Sequence, residues 1–566
     1  MKREKKQVSG RPKKKNKKSY NTGRKEVKIE TASIRTLQRR TKKLRENLKE
    51  IQDAAKIIKV EAKDVTDVGE HSEQYTNTIL RHSKESALAF FLENDFSVAS
   101  YKALVSDTIS RNCPIYPCYD IVHQAMDECM PKNIKVSEIE VMVPLQEILN
   151  KSTERLCESV ALNWSEEALY KLKLIITLGF DSSSGHVNPH QKCKNSENES
   201  SNPQQSLFVS SLILIQLRNV DFDKVSWLNP TPQSVRFCRP LQIALEKEDE
   251  EATLKEHFRL KKEIEQLLPY RFKMSNGKSA RVQYDIYETL LDGKCLNTIV
   301  KNKASSRCPI CLRTAHQFSN LADNFTASEA NLKYGLGLLH CEIKVFEHFL
   351  GLGYRQDLKS WDVRQPAKVD FEERQRILQK RIYEKLKVRV DQVLQGHGTT
   401  NTGNVARRCF QSPELFANAL EIDVQLVIDL SKIILCFKCK EELELNKLER
   451  FCLQTYCRYY ELYPWARMSP TVHKLLRHGC DIARQLPLPI AYYAEDANES
   501  WHKYYKRNMV EHSRQNSREH RLLDVFNRAV YMTDPKISLM LIDSRVNKSK
   551  TVQSNLSDIQ EFIKTK

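Results

Sequence analysis

The stretch LKLIITLGFDSSSGH, residues 172–186, decides how this chain is read. Leu172 to Phe180 is an apolar run, rich in Leu and Ile and short for a helix, so it reads as a buried strand. It stops at Asp181, where an acid meets a turn of serines and Gly185. A carboxylate in such a place is ordinarily a turn cap, but buried without a partner it would be costly, and a bound cation would relieve that cost. A polar loop rich in Ser, Asn, Gln and Pro follows. Beyond it, 207-LFVSSLILIQL-217 and 235-VRFCRPLQIAL-245 read as two further strands, and 252-ATLKEHFRLKKEIEQLL-268 as a helix. Strands followed by a helix predict a sheet unit over 166–300 in a chain of the mixed α+β class.

On the N-terminal side the composition changes. Residues 1–50 hold 20 Lys and Arg against 5 Asp and Glu, which accounts for +15 of the chain's net +19. Within 1–32 the segment 10-GRPKKKNKK-18 cannot bury apolar surface and is expected to stay disordered until it meets a polyanion. Arg11, Lys13, Lys14, Lys15, Lys17 and Lys18 are therefore candidate DNA phosphate contacts, and the same run suits a nuclear-import signal. Nuclear localisation is the expectation. Residues 33–165 read as mainly helical, opening with Leu37, Thr41, Leu44, Leu48, Ile51, Ala55 and Ile58 at heptad spacing. That seam suits either an intramolecular helix packing or a homodimer. No apolar run approaches 18 residues and the N-terminus has no signal-peptide core, so no membrane partner is expected. Sixteen irregularly spaced cysteines point to reduced thiols, some on metal, rather than a disulfide framework.

On the C-terminal side, Cys308 and Cys311 form C-x2-C, and His473 and His478 form H-x4-H. These are ligand types and spacings for one tetrahedral Zn2+, which would staple the start of a helical insertion, 301–485, to its end. Cys436 and Cys439 have the same spacing inside an apolar-periodic helix, where cysteines are commonly small buried hydrophobes, and rank below. The segment 491-AYYAEDANESWHKYYKRNMV-510 then sets Glu495 and Glu499 on one helix ahead of Lys503, Lys506 and Arg507. Taken alone it is a solvated helix with (i, i+4) ion pairs. Residues 486–545 would return to the sheet unit, and 546–566, rich in Lys and Ser, read as a loose tail.

In this order, Asp181, Cys308 and Cys311, His473 and His478, then Asn498, Glu499, Ser500 and Lys503 resemble the catalytic core of RAG-type recombinases. That family comprises the large subunit of the V(D)J recombinase and the Transib-like transposases. The segments 339-LHCEI-343 and 403-GNVARR-408, and Gly10-Arg11-Pro12, are similar as well. The resemblance runs from about residue 8 to about 540. It implies an RNase H-like fold split by a zinc-stapled helical insertion and preceded by a helical DNA-binding and dimerisation region. It further implies Mg2+ or Mn2+ on Asp181 and Glu499, structural Zn2+ on the Cys and His quartet, and nicking and strand transfer on double-stranded DNA ends. Lys503, Lys506 and Arg507 become candidate phosphate contacts, and there is room for an accessory subunit. One position departs from the pattern: Lys247 stands where the family has its second aspartate. Glu248 is the chosen substitute, with Glu246, Asp249 and Asp292 as alternatives. Either the site is rebuilt around a shifted acid, or the chain is a domesticated DNA-binding protein that no longer cuts. A zinc-stapled protein-binding scaffold is the third reading.

Overall fold

The computed structural model describes residues 80–160, 169–184, 206–274, 277–394, 398–543 and 557–564, within a unit spanning Ile79–Lys566. The basic arm with Arg11 and Lys13 to Lys18, and the heptad seam, lie outside the described residues.

The run around Leu172 belongs to a 16-residue strand, β3 (Leu169–Ser184), whose apolar character reflects its place inside the sheet. Around it lie β1 (Lys135–Val136), β2 (Glu140–Met142), β4 (Ser206–Asn219), β5 (Lys224–Leu228), β6 (Cys238–Ala244), β7 (Tyr270–Lys273) and β8 (Ser279–Leu291). The order is β1-β2-β6-β4-β3-β8-β7, with β5 pairing β4 as well. All pairings are antiparallel except β3 with β8. Contrary to the sequence reading, Asp181 is not the last residue of its strand. It pairs with Val209, and the serines after it continue the ladder as far as Ser184 opposite Ser206, because β4 supplies backbone partners along their whole length.

Two apolar cores flank this sheet. Leu174, Ile176, Leu178 and Phe180 join a core completed by helices that come before and after the helical segment over 301–485. Those are α1 (Lys84–Glu93), α2 (Val98–Ser110), α3 (Tyr119–Cys129) and α4 (Leu145–Ser159) before it. After it come α15 (Asp496–Glu511), α16 (Arg518–Met532) and α17 (Pro535–Asp543). Ile175, between two residues of the first core, faces the second, as the period of two in a strand requires. Between β6 and β7 runs α5 (Glu250–Glu265), and after β8 comes α6 (Gly293–Ile299).

The second core belongs to the helical segment expected over 301–485. It holds α7 (Glu329–Leu332), α8 (Leu338–Arg355), α9 (Lys368–Leu386), α10 (Gly403–Phe410), α11 (Pro413–Leu420), α12 (Val424–Lys438), α13 (Leu445–Leu462) and α14 (Pro470–Gln485). Residues 557–564 are not loose. Ile559 and Phe562 are buried in this core, Glu444 N–H donates to Phe562 O (2.8 Å) and Lys564 N–H to Glu442 O (2.9 Å). Two apolar side chains and a backbone bridge outweigh the polar composition of the tail. Among the described residues no helix is long and apolar enough to cross a membrane.

The strand that leads into the helical segment and the turn that leads out of it meet beside β3. Thr177 and Thr289 hydroxyls lie 2.6 Å apart, and Thr289 Oγ1 donates to Tyr493 O (3.0 Å) in a 3-10 turn, Ile490–Tyr493, just before α15.

Candidate active site and metal centre

The motif Asn498-Glu499-Ser500-Trp501-His502 divides its work by helical face. Asn498 and Trp501 are buried anchors: Ser211 Oγ on β4 donates to Asn498 Oδ1 (2.7 Å), and Trp501 Nε1 donates to Cys238 O on β6 (3.0 Å). With the helix held there, Glu499 and His502, one turn apart, face Asp181. Ligand atoms of Asp181, Glu499 and His502 all lie within 4.8 Å of one another, and His502 Nε2 is 3.0 Å from Asp181 Oδ2. No ion pair joins Glu499 to Lys503 among the described residues. Burial alone would raise the Asp181 carboxyl, but His502, then His340, hold it below the usual carboxylate range. The surrounding protein and the Asp181 charge push Glu499 up. Burial would lower the His502 imidazole, but Asp181 and Glu499 raise it.

Glu248 is not in that trio. It groups with Asp292 and Cys295, again within 4.8 Å, and pairs with Lys294 Nζ (3.0 Å). Two constraints put it there. Asp249 is committed to capping α5, its Oδ1 accepting from Ala252 N (2.9 Å), and Lys294 Nζ also donates to the Glu248 carbonyl (2.9 Å). Asp292 caps α6 through Cys295 N (2.7 Å). Burial, followed by the Asp292 charge, raises Glu248, and the more distant Asp181 adds to this, so the two acidic groups share one electrostatic neighbourhood. Lys247 is exposed rather than among the acids, and Glu246 is half-buried.

Glu495 is no metal-facing twin of Glu499. Buried at the N-terminus of α15, it accepts from His340 N–H (2.9 Å) and faces His340 Nδ1 (3.1 Å). A Cβ on Gly337 would stand 3.0 Å from its Oε1, so a side chain there would crowd the carboxylate. Of the three basic residues after Glu499, Lys503 is exposed and Lys506 half-buried, and no ion pair engages either among the described residues. Arg507 differs from the expectation of an open phosphate contact: it pairs with Asp95 and with Glu511 (2.8 Å).

Beside Asp292 and His340 opens a cleft of 1170 Å³ between the sheet unit and the insertion. Lys301, Lys303, Arg307 and Lys474 line it. Lys474 is only 9% exposed and has no ion-pair partner among the described residues.

The sulfur and imidazole quartet also comes together. Cys308, Cys311, His473 and His478 have ligand atoms within 4.8 Å of one another. Cys311 Sγ to His473 Nε2 is 3.4 Å, close to the edge of about 3.5 Å between S and N ligands of a tetrahedral ion. The cysteines sit on a tight turn in which Leu312 N–H donates to Cys308 O (2.8 Å), with Leu312 at φ 58°. The histidines lie on α14. Tyr456 OH donates to Phe318 O (2.5 Å) and stands 3.1 Å from His473 Nδ1, so Nδ1 carries the proton and Nε2 offers its lone pair to the cysteines. His478 Nε2 is buried with no hydrogen-bond partner among the described residues. Cys311 is pushed down to about 2, chiefly by the Cys308 thiol hydrogen-bonded to it and, against burial, by the two histidines. These features fit a metal on four ligands. Cys436 and Cys439 join no such group among the described residues.

Sequence reading missed His502 and the tie from His340 to Glu495. The first was visible as the i+3 partner of Glu499; the second joins residues 155 apart and left no local signal.

No family model and no curated protein matches the sequence. Among solved structures, the chain is similar to the Drosophila P element transposase strand transfer complex. Identity is 10%, 87% of this chain and 99% of that chain are covered, and the TM-score is 0.27. That overlap is loose.

Proposed function

We propose that the chain is a DNA transposase or recombinase of the RAG-like, DDE-type class, acting by metal-dependent phosphoryl transfer. The observation that carries the reading is the meeting of Asp181 and Glu499, 318 residues apart in sequence, within ligand distance and anchored there by Asn498 and Trp501. The strand order β6-β4-β3-β8, antiparallel except for the last pair, with α5 between β6 and β8, supports an RNase H-like core. Asp181 and Glu499 would hold a divalent ion, Mg2+ or Mn2+, whose chemistry there would be Lewis-acid stabilisation of an in-line displacement at phosphorus. Lys301, Lys303, Arg307 and Lys474 suit the flanking phosphodiester strand. Zinc on Cys308, Cys311, His473 and His478 suits a structural clamp, since four protein ligands leave no open position. A nuclear homodimer gripping two DNA ends through the basic arm belongs to the same proposal.

A second reading, a domesticated DNA-binding protein without catalysis, is favoured by Lys294, which occupies Glu248 with a fixed cation. One assay separates them. Supercoiled DNA incubated with Mg2+ or Mn2+ should yield nicked product with the wild type, and Asp181→Asn and Glu499→Gln should each abolish it while retaining DNA. Product unchanged in both variants sinks the enzyme reading; retained DNA binding without metal-dependent product in the wild type establishes the second.

A further inference from the structure

The third donor that the fold delivers beside Asp181 and Glu499 is a nitrogen. His502 Nε2 stands 3.0 Å from Asp181 Oδ2. Adjacent ligands of a six-coordinate ion, each about 2.1 Å from the metal, are about 3 Å apart, so this separation is that of two neighbouring positions on one ion. The ring is 8% exposed, and its Nδ1 is buried without a hydrogen-bond partner among the described residues. Among the described residues its hydrogen bond is to Asp181, and Glu499 lies within ligand distance beside it. His473 differs in that its second nitrogen is fixed by Tyr456. The expected carboxylate, Glu248, is held by Lys294 in a separate group.

We propose that His502 is the third protein ligand of the divalent-ion site, making it a mixed nitrogen and oxygen site selective for Mn2+ over Mg2+. The inference rests on Asp181 and Glu499 being ligands, as proposed above. An imidazole favours borderline transition ions, whereas an all-oxygen set suits Mg2+. Consequently a Glu248 carboxylate is not needed to complete this ion's protein ligands.

The test uses the full chain with its zinc in place and Mn2+ as the probe. Pulsed electron paramagnetic resonance of bound Mn2+ should contain 14N modulation from an imidazole. His502→Gln should abolish the modulation and weaken Mn2+ binding about 10-fold or more, with a smaller effect on Mg2+. His502→Asn repeats the measurement if the first variant folds poorly, and the wild-type spectrum stands without any variant. Modulation absent from the wild type, or surviving in folded His502→Gln, overturns the assignment. Mn2+ binding that needs Asp181 and Glu499 but ignores His502 overturns this inference alone. Mn2+ binding indifferent to Asp181→Asn and Glu499→Gln removes the acid site itself.

Discussion

Replacing Glu495 by Gln tests whether the insertion positions the helix that carries Glu499. The Glu495 carboxylate, 4% exposed, accepts from His340 N–H (2.9 Å) and faces Nδ1 (3.1 Å), joining the start of α8 to the start of α15. Burial alone would lower the His340 imidazole, but the Glu495 carboxylate, followed by Asp181 and Asp292, lifts it to about 9. The rise from the ordinary 6.5 to about 9 would correspond to about 3 kcal/mol if fully expressed. The His340 side chain is 37% exposed, so screening reduces the contribution to about 1–2 kcal/mol. Because the folded value lies above the unfolded one, this stability is fully present below about pH 6.5 and is lost as pH rises through about 9. Glutamine keeps an acceptor for the backbone N–H but removes the charge. Urea denaturation at about pH 6.5 and about pH 9.5 should therefore reveal a loss of about 1–2 kcal/mol in the wild type that is mostly absent in Glu495→Gln, which should be weaker at the lower pH. Equal pH dependence in the two proteins would refute the coupling.

Three further outcomes are expected. Asp534 is fully buried and accepts from Arg155 Nε (3.0 Å) beside the buried Arg239, so Asp534→Asn should cost about 3–5 kcal/mol by urea denaturation. His348, buried against Tyr459 OH (3.0 Å), is pushed down to about 3 by burial and then by Arg355. Stability should fall as pH drops below about 6.5, by about 2 kcal/mol at about pH 5, and His348→Gln should flatten that slope in acid denaturation curves. If the quartet holds the zinc proposed for it, His478→Ala should abolish that zinc on elemental analysis and lower hydrogen-exchange protection most strongly in α13 and α14.

The parts legible in the sequence were those set by local chemistry. A run such as Leu172 to Phe180 has few conformations that bury it, and the C-x2-C and H-x4-H spacings already limit how four ligands can meet. What was not legible depended on partners distant in the chain. The serines after Asp181 look like a turn until β4 is laid beside them. Glu248 faces where it does because of Lys294, and Lys247 points to solvent, which no reading of one strand and its loop could decide. The tail looked loose because Ile559 and Phe562 are its sparse apolar anchors in a polar background. His502 is different: it stands one helical turn after Glu499, but an imidazole at that spacing carries no signal of its own until Asp181 is brought beside it.

The position of Glu499 follows from how the helical segment between β8 and α15 is closed rather than from how large it is. Loop-closure entropy grows only slowly with length, so a long intervening segment is tolerated if its ends are held together. Here Thr289, on the strand that leads out, donates to the carbonyl of Tyr493, on the turn that leads back, and Thr177 on β3 joins the same contact. Chain length between those points can vary without moving the start of α15. Glu495 ties that start to α8, and Asn498 and Trp501 fasten the next turn to β4 and β6. With the helix fixed at three successive points, its i and i+3 side chains, Glu499 and His502, are left facing Asp181. The acid and the imidazole therefore occupy their place through one set of anchors, and a substitution that frees Asn498 or Trp501 would displace both together.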